Sequence, residues 1–347
     1  MNVKPTTTAL TLLAFMAFGT VAPAAADAEG VIGMKQIKFH AEHHGKNVDG
    51  VIWYPTNQEI NQRLFAENPV FKGFEVSENA PVKRGEFPLV LLSHGMGGGY
   101  RSMAWLAEAL VKEGVVVAGV RHPNTSWGDF DLSKGVKHWS RAQDLSQILD
   151  EIENDKEFAG KIDQARVMAA GFSYGGWTAL SLGGVKGNHQ GFVAHCQLFQ
   201  DASTYCDKML DQAVGLTEID APTWNASYAD DRVTHVVAID PGLTWGIQKK
   251  DVSDPIPNVR LIGLGAGETR MTATDFSASG FGALVPTASV NVIDNAIHFT
   301  ALPVCKSAGA KILEMEKDDP VCTDPIGTDR AEVHAMIAGY ILKDLMK

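Results

Sequence analysis

Residues 171–175 have the sequence GFSYG and match the G-x-S-x-G pattern of a serine held in a sharp turn. An apolar stretch at 166–170 precedes them and predicts a strand, and the sequence at 176–182 is typical of a helix. A turn between a strand and a helix exposes the serine hydroxyl above the sheet, and flanking glycines avoid the clash that side chains would make there. The pattern and its context predict that Ser173 is a nucleophile.

A serine hydroxyl is a poor nucleophile at neutral pH, so it needs a base within hydrogen-bond reach and an acid that orients the base. After a strand–turn–helix of this kind, the chain order is serine, acid, histidine. The histidines that follow the serine are His189, His195, His235, His298 and His334. His298 is the candidate base, because it follows the last predicted strand in a loop that can return to Ser173. The others are expected in an insertion, inside a strand or in the closing helix, where structural roles are favoured.

The acid has two main candidates. Asp240 follows the strand predicted at 234–239, and catalytic groups collect at the carboxyl ends of strands in such sheets. The more usual place is the loop after the following strand, where residues 265–270 offer only Glu268. Asp240 is the preferred acid and Glu268 the alternative, although a turn residue before a proline is also a common role for an aspartate like Asp240. Weaker candidates are Asp275 and Asp294.

Two backbone N–H groups are expected to bind the oxyanion of the reaction. One belongs to Tyr174, the residue after the nucleophile. The other is assigned to Met96, in a glycine-rich loop (HGMGGG, residues 94–99) that follows an apolar run at 88–93. Its glycines let the backbone approach a substrate, and the Met96 side chain would line the acyl pocket, with core packing as the alternative. His94 is expected to hold this loop through hydrogen bonds.

The elements that position these residues alternate between strands and helices along the chain. Strands are predicted at 51–55, 88–93, 115–120, 166–170, 234–239, 259–264 and 289–293, and helices at 101–112, 139–155, 176–182 and 329–345. The alternation predicts an α/β fold with a doubly wound, mostly parallel sheet. Residues 57–87 are interpreted as a long surface connection. Residues 186–222 break the rhythm and are interpreted as an insertion and a candidate cap over the site.

The start of the chain has the features of a secretory signal peptide. Lys4 precedes an apolar run at 9–21 that is too short for a comfortable membrane span, and three alanines at 24–26 offer a cleavage site. Residues 1–26 are therefore predicted to be removed, which leaves 27–347 as a single catalytic domain. No later segment is long and apolar enough to span a bilayer, so we expect a soluble, exported protein, periplasmic or secreted.

Cysteine usage agrees with export. The four cysteines form two local pairs, Cys196 with Cys206 and Cys305 with Cys322. In an exported protein, disulfide bonds are the natural interpretation, and proximity in sequence favours these two pairings. Free buried thiols are the alternative.

The net charge and the spacing of the histidines argue against binding to nucleic acid, to anionic lipid and to a metal ion. The formal net charge of −11 opposes binding to nucleic acid or to anionic lipid. His40, His43 and His44 cluster near the N-terminus, but they lack a carboxylate-rich or HExxH context, so no metal site is predicted there.

Three blocks of sequence resemble the α/β-hydrolases: residues 92–98 (LSHGMGG), 117–123 (VAGVRHP) and 171–176 (GFSYGG). More narrowly, they resemble the predicted dienelactone hydrolases of bacteria, a branch similar to platelet-activating-factor acetylhydrolase. Residues 321–325 (VCTDP), followed by Asp329 and Arg330, also resemble that bacterial group. The resemblance covers roughly residues 45 to 347.

This resemblance implies a serine hydrolase that needs no cofactor. It assigns Ser173 as nucleophile, His298 as base, and Met96 and Tyr174 as the oxyanion donors. The acetylhydrolase-like branch carries its acid in a segment that residues 238–241 (AIDP) resemble, which supports Asp240. Many bacterial relatives instead place the acid after the next strand, where this chain departs from them with Gly267-Glu268-Thr269. Dienelactone hydrolases proper use a cysteine nucleophile, so their reaction is not implied.

The sequence as a whole predicts hydrolysis of a small-molecule carboxylic ester through an acyl-enzyme. Two alternatives stay open: a peptidase or amidase that uses the same residues, and a non-catalytic protein that keeps the fold to hold a lipid or ester. The intact serine turn with a matching histidine argues against the second. Trp127, Trp177 and Trp245 are candidates for shaping the pocket, with core packing as their alternative role.

Overall fold

The computed structural model describes residue 1, residues 30–252 and residues 258–346. The predicted signal peptide, apart from residue 1, lies outside the described residues. Among the described residues, no helix has the length and apolar character needed to cross a membrane.

Twelve strands are described. In chain order they are β1 (Val31–Ala41), β2 (Lys46–Thr56), β3 (Gln62–Phe65), β4 (Phe74–Glu78), β5 (Phe87–Ser93), β6 (Val116–Val120), β7 (Thr125–Ser126), β8 (Asp129–Phe130), β9 (Ile162–Phe172), β10 (His235–Ile239), β11 (Asn258–Leu264) and β12 (Ser289–Ile293). Strands β7 and β8 pair as a small hairpin, and the other ten form one sheet in the order β12-β11-β10-β9-β5-β6-β2-β1-β4-β3. Strands β6, β5, β9, β10, β11 and β12 are parallel, and β2 joins them antiparallel to β6.

Ten α-helices are described: α1 (Ala104–Lys112), α2 (Leu132–Gly135), α3 (Trp139–Asn154), α4 (Tyr174–Leu182), α5 (His189–Phe199), α6 (Cys206–Leu210), α7 (Ala221–Trp224), α8 (Phe281–Leu284), α9 (Gly309–Glu316) and α10 (Arg330–Leu345). Helices α3 and α4 pack on one face of the sheet, and α1 and α10 pack on the other. Side chains alternate between these faces along each strand, so that Leu89 and Leu91 join the first layer while Val90 and Leu92 join the second. The predicted doubly wound α/β architecture is confirmed.

The N-terminal part of the sheet differs from the sequence interpretation. Residues 57–87 were expected as a surface connection, but they contain β3 and β4, whose buried Phe65, Phe74 and Val76 extend the sheet and its core. Strand β1 was not predicted, because polar residues such as Lys35 and Lys38 interrupt its apolar pattern. Strands β1, β4 and β3 lie at one end of the sheet. Strands there bury fewer of their residues than central parallel strands do, so their apolar patterns are shorter or interrupted.

Helices α5 and α6 and the start of α7 occupy the predicted insertion at 186–222. Their apolar side chains form a separate cluster that includes Phe192, Leu216 and Trp224, and Met96 and Leu243 pack against its edge. The disulfide bond between Cys196 and Cys206 lies inside this cluster, and a second bond joins Cys305 to Cys322. Both predicted pairings are present.

Candidate active site

The candidate site lies where the strand order reverses. Strand β6 lies on one side of β5 and β9 lies on the other, so the loops that follow β5 and β9 diverge and leave a crevice between them. The glycine-rich loop at 94–99 follows β5, and the serine turn follows β9. Ligands bind in such crevices at the carboxyl ends of strands.

Ser173 occupies the turn between β9 and α4 with φ 57° and ψ −119°, a conformation rarely adopted by residues other than glycine. The neighbouring glycines are required by close backbone contacts. A Cβ atom at Gly171 would lie 2.1 Å from the Gly175 carbonyl oxygen, and one at Gly175 would lie 2.0 Å from that of Ser93. The strained turn therefore depends on both glycines of the GFSYG sequence.

The structure brings Ser173, His298 and Asp240 together in one line of hydrogen bonds. Ser173 Oγ lies 3.0 Å from His298 Nε2, and His298 Nδ1 lies 2.6 Å from Asp240 Oδ2. His298 opens a short helical turn after β12, and Asp240 follows β10 directly. The tautomer that can take a proton from a serine hydroxyl carries its hydrogen on Nδ1 and has an acceptor lone pair on Nε2.

Asp240 is fully buried and has four hydrogen-bond donors around its carboxylate. Besides His298, these are Thr274 Oγ1 at 2.8 Å, the Leu264 backbone N–H at 3.0 Å and the Arg270 guanidinium. Burial alone would raise the pKa of Asp240, but the hydrogen bond from His298 and the charge of Arg270 outweigh it and hold that pKa below its usual value. The carboxylate therefore stays ionised beside the imidazole.

The other candidate acids lie apart from His298. Glu268 is exposed in the loop after β11, and Asp294 is exposed at the end of β12. Asp275 lies 3.8 Å from Arg270 Nε. The loop that contains Glu268, the alternative acid, instead supplies Arg270, whose guanidinium donates to Asp240. Sequence reasoning missed Arg270 and Thr274, since nothing local marks either as a partner of a carboxylate more than 25 residues earlier.

The two predicted oxyanion donors flank the nucleophile. Tyr174 is the first residue of α4, and the loop that carries Met96 lies against Ser173: a Cβ atom at Gly95 would be 3.2 Å from the Ser173 Cβ. In the described part of the chain, no hydrogen bond uses the backbone N–H of Met96 or of Tyr174. Both donors are thus available to a ligand, and a helix N-terminus adds favourable dipole at Tyr174.

Arg141, a buried arginine that sequence reasoning missed, contacts both the loop that carries Met96 and the side chain of Tyr174. Arg141 of α3 donates to the carbonyl oxygen of His94, two residues before Met96, and to Ser93 Oγ at 3.1 Å. Its guanidinium also lies 4.7 Å from the centre of the Tyr174 ring. The helical spacing of Arg141 four residues before Leu145, which is a core residue, was the available signal that this side chain faces inward.

His94 holds the loop through both ring nitrogens, as expected. Its Nδ1–H donates to the Gly95 carbonyl oxygen at 2.7 Å, and its Nε2 accepts from the His122 backbone N–H at 3.2 Å. Burial and the charge of Arg141 lower the pKa of His94 well below its ordinary value. The neutral form is the one that can both donate and accept.

The turn that carries His298 is fixed by a network near the C-terminus. Thr300 Oγ1 accepts from the Ile297 N–H at 2.9 Å and donates to Asp324 Oδ1 at 2.7 Å. Arg330 binds both carboxylate oxygens of Asp324, at 2.9 and 3.0 Å. Asp324 and Arg330 belong to the C-terminal motifs noted in the sequence, and Asp324 follows the disulfide cysteine Cys322 by two residues.

The remaining histidines after Ser173 are held by nearby structure. His189 Nε2 lies 2.7 Å from the Leu216 carbonyl oxygen, and His195 Nε2 lies 2.9 Å from Ser203 Oγ.

Of the three tryptophans that were candidates for shaping the pocket, Trp177 is fully buried in the core. Trp127 is 80% exposed, and its backbone N–H donates to Gly98 of the glycine-rich loop. Trp245 donates to the Thr272 carbonyl oxygen and stacks on the ring of His195.

His334 of α10 gives a testable pH dependence of stability. It stacks on Trp105, its Nε2 lies 2.9 Å from the Thr300 carbonyl oxygen, and burial lowers its pKa to about 4 from an ordinary value of 6.5. Between these values the unfolded chain takes up a proton that the folded protein does not, so the free energy of unfolding falls as pH falls. We expect His334→Gln to flatten this dependence by about 1 kcal/mol per pH unit between pH 6 and pH 5.

Urea unfolding of both proteins at these two pH values measures the difference, and the same pair at pH 7 and pH 8 is the control, where the slopes should agree. Equal slopes between pH 6 and pH 5 would show that His334 is protonated in the folded protein.

Comparison with known proteins supports the fold. A ferulic acid esterase from Streptomyces cinnamoneus aligns over 93% of this chain and 91% of its own, with a TM-score of 0.59 and 16% sequence identity. An S-formylglutathione hydrolase from Staphylococcus aureus aligns over 92% and 98%, with a TM-score of 0.48 and 9% identity. The chain has the α/β-hydrolase fold that its sequence predicted. No family profile matches the chain, and a search of curated proteins finds no match.

Proposed function

We propose that this protein is an exported serine hydrolase that cleaves carboxylic esters through an acyl-enzyme. The observation that carries the proposal is the line of hydrogen bonds from Ser173 through His298 to Asp240, which begins at a strained turn. A hydroxyl, an imidazole and a buried carboxylate in this order form the machinery of acyl transfer on many unrelated folds. The proposal assigns Ser173 as nucleophile, His298 as general base and Asp240 as the orienting acid.

In the acylation step, Ser173 Oγ attacks the carbonyl carbon of the ester while its proton moves to His298 Nε2. Asp240 accepts the Nδ1–H of His298 and stabilises the imidazolium that forms. The backbone N–H groups of Met96 and Tyr174 would receive the negative oxygen of the tetrahedral intermediate. When the intermediate collapses, the bond to the leaving oxygen breaks and His298 returns its proton to the departing alcohol.

Deacylation repeats the chemistry with water as the nucleophile. His298 takes a proton from water, the hydroxyl adds to the acyl carbon, and the bond to Ser173 Oγ breaks as that oxygen is reprotonated. The products are one carboxylic acid and one alcohol, and no other reactant is required. The substrate class is a small-molecule ester, with Met96 proposed as one wall of the acyl pocket.

The proposed preference for esters rests on the sequence motifs, and the proposed export rests on the cysteines. The resemblance to the bacterial dienelactone hydrolase branch that is similar to platelet-activating-factor acetylhydrolase supports esters over amides. Two disulfide bonds support an oxidising compartment, and with it export after cleavage near Ala26. The ferulic acid esterase of the same fold is, by its name, an ester hydrolase.

Hydrolysis of p-nitrophenyl acetate, butyrate and octanoate tests the proposal, with the p-nitroanilide of butyrate as the matched amide. We expect turnover of at least one ester and much slower turnover of the anilide, because an amine is the poorer leaving group. Comparable rates on the butyrate ester and its anilide would favour an amidase. A folded protein that is inert to all four and to a fluorophosphonate probe would favour a non-catalytic binding protein.

A further inference from the structure

A second cluster of polar side chains lies away from the Ser173 site. The short helical turn Glu42–His44, between β1 and β2, places His43 and His44 beside Asp144 of α3. Their ring Nε2 atoms lie 2.8 Å and 3.0 Å from the same oxygen, Asp144 Oδ1. The three donor atoms all lie within 4.8 Å of one another. The side chain of Asp144 is fully buried, and those of His43 and His44 are 17% and 7% exposed.

Hydrogen bonding alone does not account for this cluster. His43 donates to Asp144 Oδ1, and His122 Nδ1 donates to Asp144 Oδ2 at 2.7 Å, so each carboxylate oxygen already accepts one hydrogen bond. His44 Nε2 faces Asp144 Oδ1 but has no hydrogen-bond partner among the described residues. A buried polar atom left without a partner costs roughly 1–3 kcal/mol of stability. A cation bound to both His44 Nε2 and Asp144 Oδ1 would satisfy the two atoms.

We propose that His43, His44 and Asp144 form a binding site for one divalent transition-metal ion of the zinc type. Two imidazole nitrogens and one carboxylate oxygen are a ligand set for Zn²⁺, and ligand atoms in a tetrahedral site lie about 3.3 Å apart when bond lengths are near 2.0–2.1 Å. Both imidazoles would bind as neutral ligands through Nε2, with their protons on Nδ1. The ion then takes the place of the hydrogen bond between His43 and Asp144.

The surroundings favour a cation. A surface cleft of about 420 Å³ opens beside His43, and Glu42 and Asp150 add carboxylates to its lining. Water from this cleft would complete the coordination. The hydrogen bond from His122 to the second oxygen of Asp144 orients the carboxylate, as partners of metal ligands commonly do. The ion would fasten the β1–β2 turn to α3, so the expected effect is on stability, and the proposal does not rest on the proposed esterase function.

The test uses purified protein stripped with EDTA and then titrated with Zn²⁺ by calorimetry, with thermal unfolding as a second readout. We expect one Zn²⁺ per chain and a rise of several degrees in the unfolding midpoint when free Zn²⁺ is about a hundredfold above its Kd. His44→Leu should lose both effects. Because His44 Nε2 lies 3.0 Å from Asp144 Oδ1, metal-free unfolding of this variant is measured as its own baseline, and the loss is judged by the missing Zn²⁺-induced rise.

His43→Gln is a second variant that keeps a donor for Asp144 and should also lose Zn²⁺ binding. The matched control is His40→Gln, since His40 is 53% exposed at the end of β1 and outside the cluster; it should bind Zn²⁺ like wild type. Absence of saturable binding to wild type, or binding that survives both His44→Leu and His43→Gln, would overturn the proposal. Ester hydrolysis by the two variants reports that their fold is intact.

Discussion

Replacing Ser173 with alanine is expected to reduce kcat for ester hydrolysis by about 10⁴- to 10⁶-fold. The variant removes the only atom that the proposed mechanism allows to form the acyl-enzyme, and His298 and Asp240 have no role without it. Alanine keeps the Cβ atom that the strained turn already accommodates, so the unfolding temperature should change little. Initial rates on p-nitrophenyl butyrate, measured with wild type alongside, give the result.

A serine on the helix that follows Ser173 provides the matched control. Ser181 of α4 is buried, and its Oγ has no hydrogen-bond partner among the described residues. Ser181→Ala should therefore keep the wild-type rate. A fluorophosphonate probe should label wild type and Ser181→Ala but not Ser173→Ala. Residual activity of Ser173→Ala within tenfold of wild type would rule out Ser173 as the nucleophile.

Replacing Asp240 with asparagine is expected to lower kcat by about 10⁴-fold, the effect that this change has where the acid of such a triad has been replaced. The asparagine side chain can donate to His298 Nδ1, which would then carry its proton on Nε2 and could not accept one from Ser173. The loss should appear in kcat rather than in KM, because Asp240 is buried and has no contact with solvent. Steady-state kinetics on the same ester separates the two constants.

Glu268→Gln is the matched control, because Glu268 was the alternative acid and is exposed in the loop after β11. It should leave kcat close to the wild-type value, because the side chain is exposed and such substitutions usually disturb the fold little. Thermal unfolding of Asp240→Asn must accompany the kinetics, so that the lost rate refers to folded protein. If Glu268→Gln is the crippled variant and Asp240→Asn is active, the acid has been assigned to the wrong loop.

Sequence predicted the parts of this molecule that have local signals. The serine turn could be predicted because two glycines and a strand–helix boundary must surround Ser173. The loop of Met96 could be predicted because its glycines follow an apolar strand and precede a helix. His298 and Asp240 could be placed because each follows a predicted strand, and the carboxyl ends of parallel strands share one edge of the sheet. The doubly wound α/β fold class was predicted from the alternation of apolar strands and amphipathic helices.

The rest depends on contacts between distant parts of the chain. Arg141 and Arg270 look like ordinary surface residues until folding buries them beside the Met96 loop and Asp240. The carboxylate that faces His43 and His44 lies about a hundred residues later, on α3, so no local carboxylate-rich pattern could mark it. Strands β3 and β4 are too short to stand out from the polar residues around them.

The pairing of Asp240 with Arg270 restricts how the proposed catalytic centre can be redesigned or can diverge. Moving the carboxylate away from position 240 would leave Arg270, whose side chain is 9% exposed, with the more distant Asp275, 3.8 Å from its Nε, as its remaining carboxylate partner among the described residues. Breaking a buried pair from either side commonly costs about 3–5 kcal/mol, a large part of the stability of a typical domain. Relocating the acid by single substitutions is therefore expected to lower the free energy of unfolding at the intermediate step. The two positions, thirty residues apart, are therefore expected to tolerate replacement better together than singly.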